Sequence, residues 1–311
     1  MTGGSILAVD LGGTVIKAGR VYDGRVVQRA SIASRSELGI AQALPRLALM
    51  LHDLRQDDTA GIAIALPTLV DSRQGKVLVQ MKGKFDGLVD ADLQAWCIRE
   101  FGLPLRIEND AHAALLGEWR FGAGRDCDDL VMITLGTGIG TSVLIGGKPL
   151  RGRHGQTGNL GGHVVVDPNG FNCVCGGQGC IEAQQHLCAV EQIARSDARF
   201  VSSALRSAEQ IDYATLFALR DTDDLARDLL TRTLDLWGIL VVTLIHQFDP
   251  TRVLVGGGIM RSRDVILPHL QTFAGRACTP GRRVEVGAAS LGDDAALVGL
   301  ASLFSHPPEF I

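Results

Sequence analysis

His163 precedes a run in which Cys173, Cys175 and Cys180 fall within eight residues, and Glu182 follows two positions after the last of them. Three thiolates and one imidazole are the donor set of a tetrahedral Cys3His zinc site, whose closed shell leaves no position for water or substrate. The expected role is therefore structural, an ion that pins a loop. Gly176, Gly177 and Gly179 let the backbone turn tightly between the ligands. Buried free cysteines or a disulfide are the alternative reading of the same spacing. A clamped loop would also fix the carboxylate of Glu182, a candidate ligand-binding group whose plain alternative is a solvated surface acid.

Two further stretches can handle phosphate. Asp10, Gly12, Gly13 and Thr14 offer a carboxylate, a hydroxyl and a turn without side-chain bulk, so that backbone N–H groups can approach phosphate oxygens. Gly136, Thr137 and Gly138 offer a second cradle without the acid. Alone, either Gly/Thr turn reads as a hairpin; two of them at matching places in a repeat read as two cradles for one nucleotide. Asn109 and Asp110 lie between a short apolar run and a helical one, where either suits a helix N-cap. A carboxylate there can also accept a proton from a substrate hydroxyl, with Asn109 holding a neighbouring one.

The elements that must position these residues follow from periodicity. Apolar runs from Ile6, broken at Gly12–Thr14 and Asp23–Gly24, read as consecutive hairpins, and the pattern recurs from Leu130 through Gly136–Gly138 and Gly146–Gly147. The repeat predicts two domains of related topology. Helices are expected over Glu37–Leu54, Asp90–Phe101, Ala111–Arg120, Glu182–Arg195, Thr215–His246 (broken by polar turns) and Asp293–Phe304, with strands at Gly61–Leu66, Leu105–Glu108 and Arg252–Gly256. Gly256, Gly257 and Gly258 then form a third glycine-rich loop.

The bulk numbers narrow the function class. A chain of 311 residues, 46% apolar and 21% charged, has the composition of a globular protein of two domains. Its net charge of -4 comes without a polybasic run, so neither a nucleic acid nor an anionic membrane is an expected partner. Apolar windows such as Leu234–Ile245 read as too short for a bilayer span, and no secretion signal is legible, so the expected location is cytoplasmic. Cys97, Cys127, Cys188 and Cys278 are scattered and fit reduced thiols.

Taken together, the chain resembles the ROK family of sugar kinases and repressors (glucokinase, fructokinase and N-acetylhexosamine kinase types), within the actin-like ATPase superfamily. Asp10, Gly12, Gly13, Thr14 and Lys17 match the family's phosphate motif, Asn109 and Asp110 its catalytic pair, and Gly136–Gly140 its second phosphate motif. His163, Cys173, Cys175 and Cys180 match its zinc signature, Glu182 its sugar-contacting glutamate, Gly256–Gly258 its nucleoside-side glycines, and Leu291–Ala295 its closing helix. The resemblance implies an α/β fold of two RNase H-like domains around an interdomain cleft, with boundaries at 1–115, 116–292 and a C-terminal helix over 293–311 that returns to the first domain. It implies ATP-dependent transfer of the γ-phosphate to a hexose or hexose-derivative hydroxyl, with Asp110 as base and Asp10 holding Mg²⁺. Asn109, Glu182, His163 and Thr68 would position the sugar, zinc would be structural, and the protein would be a homodimer. A family repressor would need an N-terminal helix-turn-helix, for which a phosphate strand starting at Ile6 leaves no room; a catalytically silent sugar sensor is the other alternative. Three departures bear on the substrate. Leu160 stands where the family usually has a glutamate, Thr68 replaces a glycine after Pro67, and Met81–Phe85 matches the family's sugar loop only loosely. Lys82 and Lys84 in that loop suit an anionic substituent on the substrate, or simply solvent.

Overall fold

The computed structural model describes residues 4–80, 83–136, 138–277, 283–307 and 309. Thr137, Met81, Lys82 and Cys278, singled out above, lie outside the described residues. The chain forms two compact units, one of 1–128, 142–159 and 289–311 and the other of 129–141 and 160–288.

In the first unit, β1 (Ser5–Leu11), β2 (Val15–Tyr22) and β3 (Arg25–Ala33) form an antiparallel meander, as the two turn signals require. The helix α1 (Ile40–Leu54) leads to β4 (Thr59–Leu66), which pairs parallel with β1. A small hairpin of β5 (Val70–Asp71) and β6 (Lys76–Val77) and the helix α2 (Leu93–Phe101) precede β7 (Leu105–Asn109), parallel to β4, and α3 (Asp110–Phe121) follows without a loop. The sheet order is β3-β2-β1-β4-β7.

Strand alternation sends the two faces into different cores. Leu7, Val9 and Leu11 of β1 and Ile62, Ile64 and Leu66 of β4 pack with α1 and α2. Ile6 and Ala8, with Ala63 and Ala65, face Ala113 and Leu116 of α3 and the residues of the last helix. The alanines matter because they admit a close layer of helix on that side.

The second half opens with β8 (Leu130–Leu135), β9 (Ile139–Ile145) and β10 (Lys148–Pro149), and α4 (Ile181–Gln185) and α5 (Leu187–Ser196) follow the cysteine loop. Then come α6 (Tyr213–Leu219), α7 (Asp224–Phe248), β11 (Arg252–Gly256), α8 (Arg263–Ala277), β12 (Glu285–Ala288) and α9 (Ala295–Ser305). The order β10-β9-β8-β11-β12 repeats that of the first sheet, with β8, β11 and β12 parallel. The predicted elements thus form, with Glu182–Arg195 split at His186 and Thr215–His246 split at Arg220–Asp223.

The 25-residue α7 is continuous and, by length and apolarity, long enough to cross a membrane, although Leu234–Ile245 alone reads as too short. Its buried face carries Leu229, Leu236, Trp237, Leu240 and Leu244, the pattern of a core helix.

In the first unit α9 returns to lie against α3. A Cβ on Gly117 would come within 2.0 Å of the Ala295 carbonyl oxygen, and one on Gly299 within 1.9 Å of that of Ala113, so the two backbones meet directly. The fully buried Glu118 carboxylate fixes the chain's entry to that helix, accepting hydrogen bonds from the Ser290 and Leu291 N–H groups at 2.8 and 2.7 Å and from the Ser290 hydroxyl at 3.0 Å.

Candidate functional site

In the first unit, the β1–β2 hairpin register sets Asp10 opposite Lys17, with Gly12, Gly13 and Thr14 in the turn between them. Loss of solvent raises the Asp10 carboxyl to about 6, the neighbouring Asp110 adding to the rise and Lys17 opposing it. Lys17 Nζ itself donates to Asp293 Oδ1 at 2.7 Å, so the turn and the approach to α9 are tied by an exposed ion pair.

Asn109 ends β7 and caps α3: its side-chain oxygen accepts from the His112 N–H at 3.1 Å, and its Nδ2 donates to the Thr68 carbonyl at 3.1 Å. The capping role expected of this pair therefore falls to Asn109. Asp110 is the first helical residue, its Oδ1 accepting from the Ala111 N–H at 2.8 Å. Removal from solvent raises its pKa, against the pull of that hydrogen bond and of the Lys84 charge. Thr68 is buried, and its hydroxyl donates to the Val79 carbonyl at 2.6 Å, so its side chain braces the chain beneath Asn109.

Beneath this turn lies a buried polar group that sequence reading missed. Glu108 Oε1 accepts from the Asn109 N–H at 2.8 Å and lies 3.5 Å from His112 Nδ1; Oε2 accepts from the Ser72 hydroxyl at 3.1 Å and from the Arg151 guanidinium. Burial alone would push the Glu108 carboxyl up, but the His112 hydrogen bond and the Arg151 charge hold it below its ordinary value. The available signal was an acid inside a short strand immediately before Asn109. Its partner 43 residues away is not readable from one sequence.

In the second unit, the Gly136 N–H donates to the Gly138 carbonyl at 3.0 Å, closing a tight turn between β8 and β9. Glu182, on the first turn of α4, reaches this turn: its Oε2 accepts from the Ile139 N–H at 2.7 Å, and a Cβ on Gly138 would lie 2.7 Å from the same oxygen. Gly256 ends β11 opposite Thr134 of β8. Gly257 follows at φ 96, with space for a Cβ blocked 2.1 Å away by the Leu135 carbonyl, and Gly258 is open.

His163, Cys173, Cys175 and Cys180 converge, one ligand atom from each lying within 4.8 Å of the others. The Cys173 Sγ to His163 Nδ1 distance is 3.4 Å and Cys175 Sγ to Cys180 Sγ is 3.6 Å. A tetrahedron with zinc bond lengths has edges of roughly 3.5 to 3.8 Å, so the donor set fits such an ion in chemistry and these two separations are close to its edges. The described cysteines are free thiols, which removes the disulfide alternative for these three. Backbone bonds from the Cys173 N–H to the Gly177 carbonyl and from the Gly176 N–H to the Cys173 carbonyl shape the knuckle. Leu160 begins the turn that carries His163, its carbonyl accepting from the His163 N–H at 2.9 Å, and its side chain is 39% exposed.

Two glycine-rich turns at the same place in two repeated α/β sheets, an acid beside one of them and a cysteine–histidine metal cluster define an α/β protein of the nucleotide-handling, metal-binding class. The ROK family pattern matches residues 6–306, and the chain belongs to that family. It is 34% identical to a glucokinase of Thermotoga maritima over 97% of each chain. Among solved structures, it is similar to a ROK family glucokinase from Streptomyces griseus in complex with glucose and AMPPNP, at 30% identity and TM-score 0.79, covering 96% of this chain and 99% of that one. It is also similar to a ROK family transcriptional regulator, a homolog of the E. coli MLC protein, at 28% identity and TM-score 0.82, covering 96% of this chain and 77% of the regulator.

Proposed function

We propose that this chain is an ATP-dependent carbohydrate kinase that transfers the γ-phosphate of ATP to a hydroxyl of a hexose or hexose derivative. The observation that carries the reading is Asp110, a carboxylate of raised pKa placed by the Asn109 cap beside the Asp10–Thr14 turn's own acid. Family membership and the glucokinase relatives supply the reaction class.

Asp110 accepts the proton of the attacking hydroxyl. Asn109, Glu182 and His163 orient the sugar, with Thr68 bracing Asn109. Gly12, Gly13, Thr14 and Lys17, together with Gly136, Thr137 and Gly138, receive the phosphates, and Gly256, Gly257 and Gly258 leave room for the nucleoside. A buried carboxyl whose pKa is raised by loss of solvent and by the neighbouring Asp110 charge suits a divalent cation, and Asp10 is its proposed protein ligand. Bound Mg²⁺ would supply positive charge against that developing on the transferring group. Zinc on His163, Cys173, Cys175 and Cys180 holds the loop that presents Glu182. Two RNase H-like domains, 1–115 and 116–292 with 293–311 returning to the first, a homodimeric state and a cytoplasmic location belong to the same reading.

The likeness to a transcriptional regulator favours a second reading, a sugar-responsive regulatory protein without turnover. ATP consumption measured over a panel of sugars separates the two. Sugar-dependent ADP release supports the kinase, and sugar binding with no turnover on any sugar supports the regulator.

A further inference from the structure

Lys84 stands out among the groups that the proposed chemistry leaves unused. A Cβ built on Gly13 would lie 3.6 Å from Lys84 Cε and 3.9 Å from Nζ, so the lysine stem passes directly over the phosphate turn. The side chain is exposed, and among the described residues no acid lies within ion-pair distance of it. Its charge nonetheless reaches Asp110. One cation thus addresses both the turn proposed to hold phosphate and the carboxylate proposed to accept the proton.

The backbone beneath Lys84 is held with unusual firmness for a surface loop. Phe85 is fully buried and adopts φ 52, a left-handed conformation that bulky side chains rarely take. The Phe85 N–H donates to the Ser36 carbonyl at 2.8 Å, and the Gln80 amide donates to the Lys84 and Phe85 carbonyls at 3.2 and 3.4 Å. The Asp86 carbonyl accepts from the Ile40 N–H at 3.0 Å, and its carboxylate from the Gly83 N–H at 3.0 Å. Strain that surrounding contacts over-determine is characteristic of a residue placed for function. Here the buried neighbour carries the strain, and the charged residue projects.

Resting on the kinase reading above, we propose that the Lys84 ammonium contacts the γ-phosphoryl group of ATP and is a further catalytic residue. The sugar oxygen forms its new bond to the γ-phosphorus while its proton passes to the Asp110 carboxylate. The bond from that phosphorus to the oxygen bridging the β- and γ-phosphates breaks, and its electron pair leaves with ADP. Lys84 remains protonated throughout and donates to a γ-phosphoryl oxygen, where negative charge is redistributed.

Lys84→Met keeps the stem and removes the charge; Lys84→Arg restores a charge. With a neutral hexose that the wild type phosphorylates, Lys84→Met should lower kcat by about 10² to 10³-fold, the usual consequence of losing one charge-stabilising donor. Sugar affinity and melting temperature should stay unchanged, and Lys84→Arg should recover most of the rate. Calorimetry adds a readout without turnover: Lys84→Met should weaken ATP binding but leave ADP binding unaltered. A Met variant with near wild-type kcat and an unchanged ratio of ATP to ADP affinity overturns the proposal, as does a defect confined to KM for acidic sugars. A wild type that phosphorylates no sugar overturns the kinase reading instead, and the ATP-to-ADP affinity ratio still decides whether Lys84 meets the γ-phosphate.

Discussion

Asp110 and Asp10 share a first-unit neighbourhood in which burial raises both carboxyl pKa values and the Asp110 charge adds to the rise at Asp10, so their ionisation should be visible in both activity and stability. Because the Asp110 pKa is raised, kcat/KM should lose its acid limb at a pH above the ordinary carboxylate range. Asp10 is raised from 3.8 to about 6, so the fold favours its protonated form. Its stabilising contribution is full below pH 4 and lost as pH rises through 6 in the absence of a bound cation. Denaturant titrations of wild type and Asp10→Asn from pH 4 to 8 check this: the stability difference should shift against the wild type as pH rises, and Mg²⁺ with ATP should reduce the shift. At Leu160, where the family usually has a glutamate, an apolar side chain leaves one or two sugar hydroxyls without an acceptor, at a cost of about 1 to 3 kcal/mol each when buried. Glucose should therefore rank below hexoses whose hydroxyl at that position is missing, modified or otherwise oriented. Kinetics with a sugar panel should show Leu160→Glu raising relative kcat/KM for glucose, and glucose ranking first with no gain in the variant counts against the idea.

The loop from His163 to Glu182 shows how one element serves several residues: the metal cluster ends at Cys180, α4 begins at Ile181, and Glu182 then reaches back to the Ile139 N–H. Removing one metal ligand should loosen that loop ahead of the rest of the fold. Cys175→Ser is expected to lose bound zinc by elemental analysis and to weaken sugar binding more than ATP binding, because Glu182 is proposed to hold sugar. Equal losses for both ligands, or metal-free native protein, would contradict this. The cluster was legible because its ligands are close in sequence and chemically distinctive. Asn109 and Asp110 were legible because a cap interrupts two periodic runs. Glu108, Ser72 and Arg151 were not, since their pairing depends on tertiary approach and each alone reads as an ordinary polar residue.

In the molecule as a whole, the sheet order β3-β2-β1-β4-β7 recurs as β10-β9-β8-β11-β12, and the repeated glycine-rich hairpins in the sequence are the trace of that duplication. What the hairpins did not announce is the embrace of α3 by α9 in the first unit, which rests on Gly117 and Gly299. Gly299→Ala would force a methyl group into the Ala113 carbonyl, and overpacking of this kind typically costs about 1 to 3 kcal/mol. Thermal denaturation should show a lowered midpoint, whereas an unchanged midpoint would mean that the two helices have room to separate. The central claim is that this fold is an ATP-dependent hexose kinase with Asp110 as its base. It is tested most directly by the single-turnover rate of phosphate transfer from MgATP to the best neutral hexose, in wild type and in Asp110→Asn, which leaves the Asn109 cap in place. The account predicts sugar phosphate from the wild type and a rate at least about 10²-fold lower in the variant, with ATP and sugar binding retained. Transfer by Asp110→Asn at close to the wild-type rate would contradict it.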